Sequence, residues 1–290
     1  MHKIGFVGLG NIGGPMARSV ARGGFALTVC DLSAEALRAF DTVGYGTAPA
    51  PAALASMEAV VFMVSNDQQL RDAVAGPDGL IAGLGAASPG LVIIMSTVLP
   101  ATVIELSVGL TRHGIRVVDA PVSGGPLPAE EGALTIMAGG AADDLEAARP
   151  VLETMGRTIY HCGPLGSGEL TKIINNLVGV ANQFLMAEAL QLARSCNLDL
   201  AHLTSVMERS SGRNFWSRDW DLTRRQYDEY ATDLPKVDVF VQRSLKDFRL
   251  ALELAERAAM AMPVLKAVTG AIAMIESEQI FERFHSFTGA

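Results

Sequence analysis

GSGELTKIINN, residues 166–176, places a lysine and two asparagines in what reads as a long apolar helix. Lys172, Asn175 and Asn176 lie three and four residues apart, so a helix places them on one face. An amine in apolar surroundings can exchange protons near neutral pH, because desolvation lowers its pKa. Neighbouring amides can both donate and accept hydrogen bonds. The plainer alternative is a lysine whose stem follows a half-buried helix out to water.

A second group of residues suits a dinucleotide. GFVGLGNIGGPMA carries Gly8, Gly10 and Gly13 in GxGxxG spacing, with Asn11 and Ile12 between the last two. The pattern follows the apolar run KIGFV and opens the helical MARSVARGG, the context such a loop requires. Gly8 allows a tight turn, Gly10 lets backbone approach a pyrophosphate, and Gly13 lets the helix pack against the strand. The helix N-terminus then offers N–H groups to phosphate. Asp31 ends the run ALTVCD, 21 residues after Gly10, where a carboxylate accepts from ribose hydroxyls and repels a 2′-phosphate. Leu32 and Ser33 follow it, with no arginine, so NAD is expected over NADP. An ordinary βα turn, with Asp31 as a helix cap, would leave the same trace, although Ser33 is as good a cap.

Two further strand ends, where ligands of open α/β sheets bind, fall at Val64, Ser65 and Asn66 and at Ser96 and Thr97. Each could equally be a polar strand exit. DAPVSGG, residues 119–125, also follows a strand, and Ser123, Gly124 and Gly125 offer a hydroxyl and accessible amides suited to a carboxylate. The glycines alone would fit a plain turn.

The elements that must position these groups are legible. KIGFVG, ALTVCD, AVVFMVS, LVIIMST and IRVVDAP are continuous apolar runs, as in parallel strands covered on both faces. Helical stretches such as AEALRAF and ATVIELSVGLTRHG alternate with them, so an open, doubly wound Rossmann-type α/β sheet is expected. GALTIMAGG and RTIYHCG flank the helical DDLEAARPVLETMG. After GPLGSG strand signals end, and residues 165–195 read as one helix of about 30 residues. Two domains follow, residues 1–163 for dinucleotide binding and 164–290 all-helical, with Pro263 a break late in the second.

The 290 residues carry a net charge of −8 with no basic block, which points away from nucleic acid and anionic membranes. Cys30, Cys162 and Cys196 form no zinc spacing and no even disulfide set, so a reducing cytoplasm is expected. Neither a secretory signal nor a membrane span is expected, since MHKIGFVGLG runs directly into strand and turn. Mean hydropathy is nevertheless positive, at +0.29, which suggests apolar surface buried between subunits of a homo-oligomer, a dimer or tetramer.

GFVGLGNIGGPMA, DAPVSGG, GSGELTKIINN and SLKDFRLA occur in the order and approximate spacing of the β-hydroxyacid dehydrogenase family, and the resemblance covers essentially the whole chain. It implies a Rossmann-type domain joined by a long helix to an all-helical domain like the C-terminal part of 6-phosphogluconate dehydrogenase. It implies NAD(P)-dependent oxidation of a small carboxylate-bearing β-hydroxyacid, or reduction of its semialdehyde. Carried over by position, the catalytic lysine falls on Lys172 and the substrate-orienting asparagine on Asn176. The substrate-carboxylate loop falls on Ser123, Gly124 and Gly125, the threonine near the nicotinamide on Thr97, and the cofactor-side lysine on Lys246, beside Asp247. An aromatic residue that the family places seven before that lysine is absent: position 239 is valine, with Phe240 next to it. RSSGRNFWSRDW, residues 209–220, resembles a segment near the family's active site; Arg213, Asn214 and Trp216 could shape a pocket or form an interhelical turn. Arg213 or Arg218 could favour a second substrate carboxylate.

The competing readings are an NADPH-dependent semialdehyde or imine reductase, and a dinucleotide-binding module without catalysis. Lysine at position 172 argues against the imine reductase, and the intact substrate loop argues against the module.

Overall fold

The computed structural model describes residues 1–41, 45–85 and 88–287, which separate into two compact units, Met1–Lys172 and Ile173–Ala290. In the first unit β1 (Lys3–Val7), α1 (Gly13–Arg22), β2 (Ala26–Cys30), α2 (Ala34–Asp41) and β3 (Gly46–Thr47) come first. A 3₁₀ turn at Pro51–Leu54 leads to β4 (Ala59–Phe62), α3 (Asp67–Ala75), β5 (Leu91–Ile94), α4 (Pro100–Thr111) and β6 (Arg116–Asp119). Next come β7 (Val122–Ser123), α5 (Pro126–Glu130), β8 (Leu134–Gly139), α6 (Ala142–Met155) and β9 (Gly156–Gly163).

The strands form one sheet in the order β3-β2-β1-β4-β5-β6-β8-β7, with β9 also paired to β8. From β3 to β6 every pairing is parallel. Beyond β6 the sheet is mixed: β8 runs antiparallel to β6 and β7, and β9 runs parallel to β8. The apolar runs are continuous because both sheet faces are buried. Ile4, Phe6, Val61 and Ile93 pack on one face against Met16 and Val20 of α1 and Leu145 and Val151 of α6. Val60, Phe62, Val92 and Ile94 pack on the other against Leu70 and Val74 of α3 and Val103 and Leu106 of α4.

α7 (Ser167–Ser195) is a single helix of 29 residues, and the division between the units falls within it. The second unit continues through α8 (Leu200–Glu208), α9 (Trp220–Tyr230), α10 (Leu234–Arg257), α11 (Pro263–Ala273) and α12 (Ser277–His285). Pro263 opens α11 at a position where a missing N–H is harmless. Aromatic rings of Trp216, Tyr227, Phe240 and Phe284 pack together in this unit's core. The Tyr227 hydroxyl donates to the Gln183 carbonyl at 2.8 Å, and burial drives its pKa far above the ordinary value.

Candidate active site

The glycine loop links β1 to α1, and its geometry fixes the residue types. Gly8 has φ +97°, and a Cβ there would lie 2.2 Å from the Met63 carbonyl oxygen. A Cβ on Gly13 would lie 2.1 Å from the Gly8 carbonyl oxygen, so strand exit and helix start touch. Gly10 differs: a Cβ there would meet nothing within 4 Å. Asn11 and Ile12 complete the turn, and Ile12 stands at the cap of α1. The Asp31 carboxylate reaches back across the sheet edge to this loop. Its Oδ2 accepts from the Leu9 N–H at 2.6 Å, and Oδ1 accepts from the Ser33 N–H at 2.7 Å. Capping falls to Ser33, whose Oγ accepts from the Ala36 N–H. The neighbouring Cys30 thiol is pushed up to about 11, by burial first and the Asp31 charge second, so it stays protonated.

The exit of β4 lies beside this loop, β4 being in register with β1, and the exit of β5 follows next in the sheet, in register with β4. The Val64 N–H donates to Ser96 Oγ at 2.7 Å and the Ser65 N–H to Gln69 Oε1 at 2.9 Å. Those two amides are thus engaged internally, while Asn66 caps α3. Thr97 sits in the segment between β5 and α4, which is held at its neighbours: the Val98 N–H donates to Glu169 Oε2 at 3.2 Å and the Leu99 N–H to Asp67 Oδ1 at 3.0 Å.

The Ser123 loop begins at the end of β6. Gly124 and Gly125 have φ +146° and +90°, which L side chains rarely adopt, so the glycines are required by backbone shape. Pro126 then starts α5. At the head of the same motif, Asp119 is fully buried and holds the start of α7. Its Oδ1 accepts from the Gly166 N–H at 2.7 Å and its Oδ2 from the Glu169 N–H at 2.8 Å. A Cβ on Gly168 would lie 2.3 Å from the Met137 carbonyl oxygen, which explains the GSG of GSGELTK: the helix starts against the strands. Burial raises the Asp119 pKa, and the amides of Gly166 and Glu169 oppose the rise. One turn on from Glu169, Lys172 is 7% exposed on a helix whose start is fixed from Val98 and Asp119. Asp119 and Glu169 carry no sequence signature as framing residues; only the position of Asp119 at a strand end hints at a role.

In the second unit Asn176 meets α10. Its Nδ2 donates to Asp247 Oδ2 at 2.7 Å, and Lys246 Nζ lies 3.2 Å from Asp247 Oδ1. A Cβ on Gly179 would meet nothing within 4 Å, so α7 is open there. The aromatic substitution is real: Val239 is exposed, whereas Phe240 turns into the core against Phe184 and Tyr230. The 209–220 segment forms an interhelical turn. Asn214 and Ser217 make a capping box, and the buried Trp216 donates its indole N–H to the Gly179 carbonyl. Arg213 pairs with Glu208 at 3.0 Å, and the Arg218 guanidinium stacks 4.2 Å over Phe215.

The residues around Gly8, Gly10 and Gly13 fit a dinucleotide. The loop is closed to side chains at Gly8 and Gly13 and open at Gly10, where a pyrophosphate needs backbone access, and a carboxylate stands at the second strand end. Fold and site together define a nicotinamide-dependent oxidoreductase with a Rossmann domain and a helical domain. Residues 3–163 match the family described as the NAD binding domain of 6-phosphogluconate dehydrogenase. Residues 166–285 match the one described as NAD-binding of NADP-dependent 3-hydroxyisobutyrate dehydrogenase. A 3-hydroxyisobutyrate dehydrogenase of Pseudomonas aeruginosa is 39% identical over 218 residues, covering 74% of this chain and 72% of that protein. An NAD-dependent L-serine dehydrogenase of the same organism is 37% identical over 217 residues, with the same coverage. The solved 3-hydroxyisobutyrate dehydrogenase of Mycobacterium tuberculosis with L-serine superposes with a TM-score of 0.78 at 26% identity, over 100% of both chains. The chain belongs to the β-hydroxyacid dehydrogenase family, and it uses NAD in hydride transfer on a hydroxyacid.

Proposed function

We propose that this enzyme interconverts a small β-hydroxyacid, 3-hydroxyisobutyrate or L-serine in type, and its semialdehyde, with Lys172 as general acid and base. The observation that carries this reading is Lys172 itself. It is a lysine only 7% exposed, on a helix whose start is held at the carboxyl end of β6 by Asp119. A bound nicotinamide supplies the hydride acceptor. In oxidation Lys172 Nζ takes the hydroxyl proton as the carbinol carbon loses its hydride; in reduction it returns a proton to the carbonyl oxygen. Asn176, one turn on, hydrogen-bonds the same oxygen without adding charge. Ser123, Gly124 and Gly125 hold the substrate carboxylate. Gly8, Gly10, Asn11, Ile12, Gly13, Asp31, Val64, Ser65, Thr97 and Lys246 form the cofactor side.

In this reading residues 1–163 form the dinucleotide-binding part and 164–290 the helical part. Among the described residues no helix is long and apolar enough to cross a membrane. The three free cysteines suit a reducing compartment such as the cytoplasm. A homo-oligomer is supported by Leu170, Ile174, Val178, Leu185 and Leu192, all exposed. At about 100° per residue they form one stripe of α7, turned away from the Lys172–Asn176 face.

The test is a panel of 3-hydroxyisobutyrate, L-serine, related β-hydroxyacids and α-hydroxyacids, assayed with NAD and with NADP. The reading expects turnover of carboxylates hydroxylated at the β carbon, faster with NAD. Preference for α-hydroxyacids, or no dependence on the carboxylate, contradicts it.

A further inference from the structure

α10 buries Val237, Phe240, Val241, Ser244, Phe248 and Ala251 along one face, and on that face it also buries a carboxylate. Asp247 is 5% exposed. A buried carboxylate is costly unless hydrogen-bonded, so its partners indicate its purpose. Oδ2 accepts from Asn176 Nδ2 at 2.7 Å. Oδ1 has the Lys246 ammonium 3.2 Å away but no aligned hydrogen bond, so this is an ion contact between chain neighbours. On the far side of the amide, Asn176 Oδ1 accepts from Asn175 Nδ2 at 3.3 Å.

We infer that Asp247 is a positioning residue that fixes which way round the Asn176 amide stands. A carboxylate accepts and cannot donate. Turning the Asn176 amide by half a turn would bring its carbonyl oxygen against Asp247 Oδ2, two acceptors at hydrogen-bond distance. Only one orientation is therefore allowed, with Nδ2 toward Asp247 and the carbonyl oxygen away from it. One N–H of Nδ2 is taken by Asp247. The other remains available to an oxygen whose own proton has gone to an amine one helical turn away. The inference rests on the reading of Asn176 as a substrate-binding residue. It adds that the donor character of Asn176 is set from α10, through a residue that need not touch substrate.

The test is a double-mutant cycle on the full chain, with kcat, KM and the thermal midpoint measured for Asn176→Ala, Asp247→Asn and the double variant. Asparagine at 247 can offer either a donor or an acceptor, so the Asn176 amide is free to invert. Asp247→Asn is expected to lower kcat by about 10–100-fold, the loss associated with one charge-assisted hydrogen bond. In the Asn176→Ala background Asp247→Asn should add no further loss. Losses that multiply overturn the inference and leave the role of Asn176 standing. An Asn176→Ala enzyme with full kcat/KM overturns both. Should Asp247→Asn fail to fold, the exchanged pair Asn176→Asp/Asp247→Asn restores the hydrogen bond with its polarity reversed. It is expected to regain the thermal midpoint but not kcat, and recovery of kcat would overturn the inference.

Discussion

The Asp119 carboxylate, at the end of β6, accepts the Gly166 N–H at 2.7 Å from 47 residues further along the chain. The same carboxylate accepts from Glu169, so two amides at the start of α7 close onto a single side chain. This side chain, together with the Glu169 carboxylate on the Val98 N–H, holds the start of α7 and hence the depth at which Lys172 sits. Asp119→Ala leaves both amides buried without an acceptor, at about 1–3 kcal/mol for an unsatisfied buried group. Urea denaturation should show a loss of at least about 2 kcal/mol, and a change below about 0.5 kcal/mol would remove Asp119 from this role.

Gly8 and Gly10 separate folding from binding. At Gly8 a Cβ collides with the Met63 carbonyl and φ is +97°, so Gly8→Ala should lower stability by more than about 2 kcal/mol. At Gly10 the protein leaves open space. Gly10→Val should therefore keep the wild-type melting temperature while weakening NAD binding by about tenfold or more, read by NADH fluorescence titration. Unchanged NADH affinity in Gly10→Val would mean that the cofactor does not approach this backbone.

Asp31 joins loop shape to cofactor choice, because the carboxylate that would meet the ribose also accepts the Leu9 N–H at 2.6 Å. Asp31→Ser should raise KM for NAD and lower the NAD-to-NADP preference by about tenfold, since it removes the charge that repels a 2′-phosphate. A preference that survives the substitution places discrimination elsewhere.

Acid pH should loosen the tie between α1 and α5. Glu130 holds Arg18, at 2.7 Å, and Arg22, at 3.0 Å. Its carboxyl lies below the ordinary value of 4.5, first through the Arg18 hydrogen bond and less through Arg22, with partial burial opposing. A folded pKa below the unfolded one stabilises the fold above the unfolded value, and the effect is lost as pH falls through the folded value. The melting difference between wild type and Glu130→Gln should thus be present at pH 7, shrink below pH 4.5 and vanish in stronger acid. Because the pair is half exposed, the difference is small and falls with salt. A difference that grows in acid would contradict the assignment.

The strands β1, β2, β4, β5 and β6 were legible because both of their faces are buried, which leaves an uninterrupted apolar signature. β3 and β7 have two residues each and α5 has five, too short for any periodicity to register. The antiparallel pairing of β8 was hidden for a different reason: strand direction is set by partners distant in sequence. Lys172, Asn176 and the glycine loops stood out as candidates by residue type and spacing. Asp119, Glu169 and Asp247 were not read as framing residues, because their partners lie 47 to 71 positions away. Arg213 and Trp216 show the opposite case, residues of chemical promise that the structure engages on neighbouring helices, through Glu208 of α8 and Gly179 of α7.

The central claim is that the Lys172 amine carries the proton of the reaction. Its most direct test is kcat of Lys172→Ala on the best hydroxyacid substrate, with NADH affinity measured on the same preparation. The account expects kcat to fall by about 10²–10⁴-fold while NADH binds as in the wild type. A Lys172→Ala enzyme that turns over at the wild-type rate would contradict it.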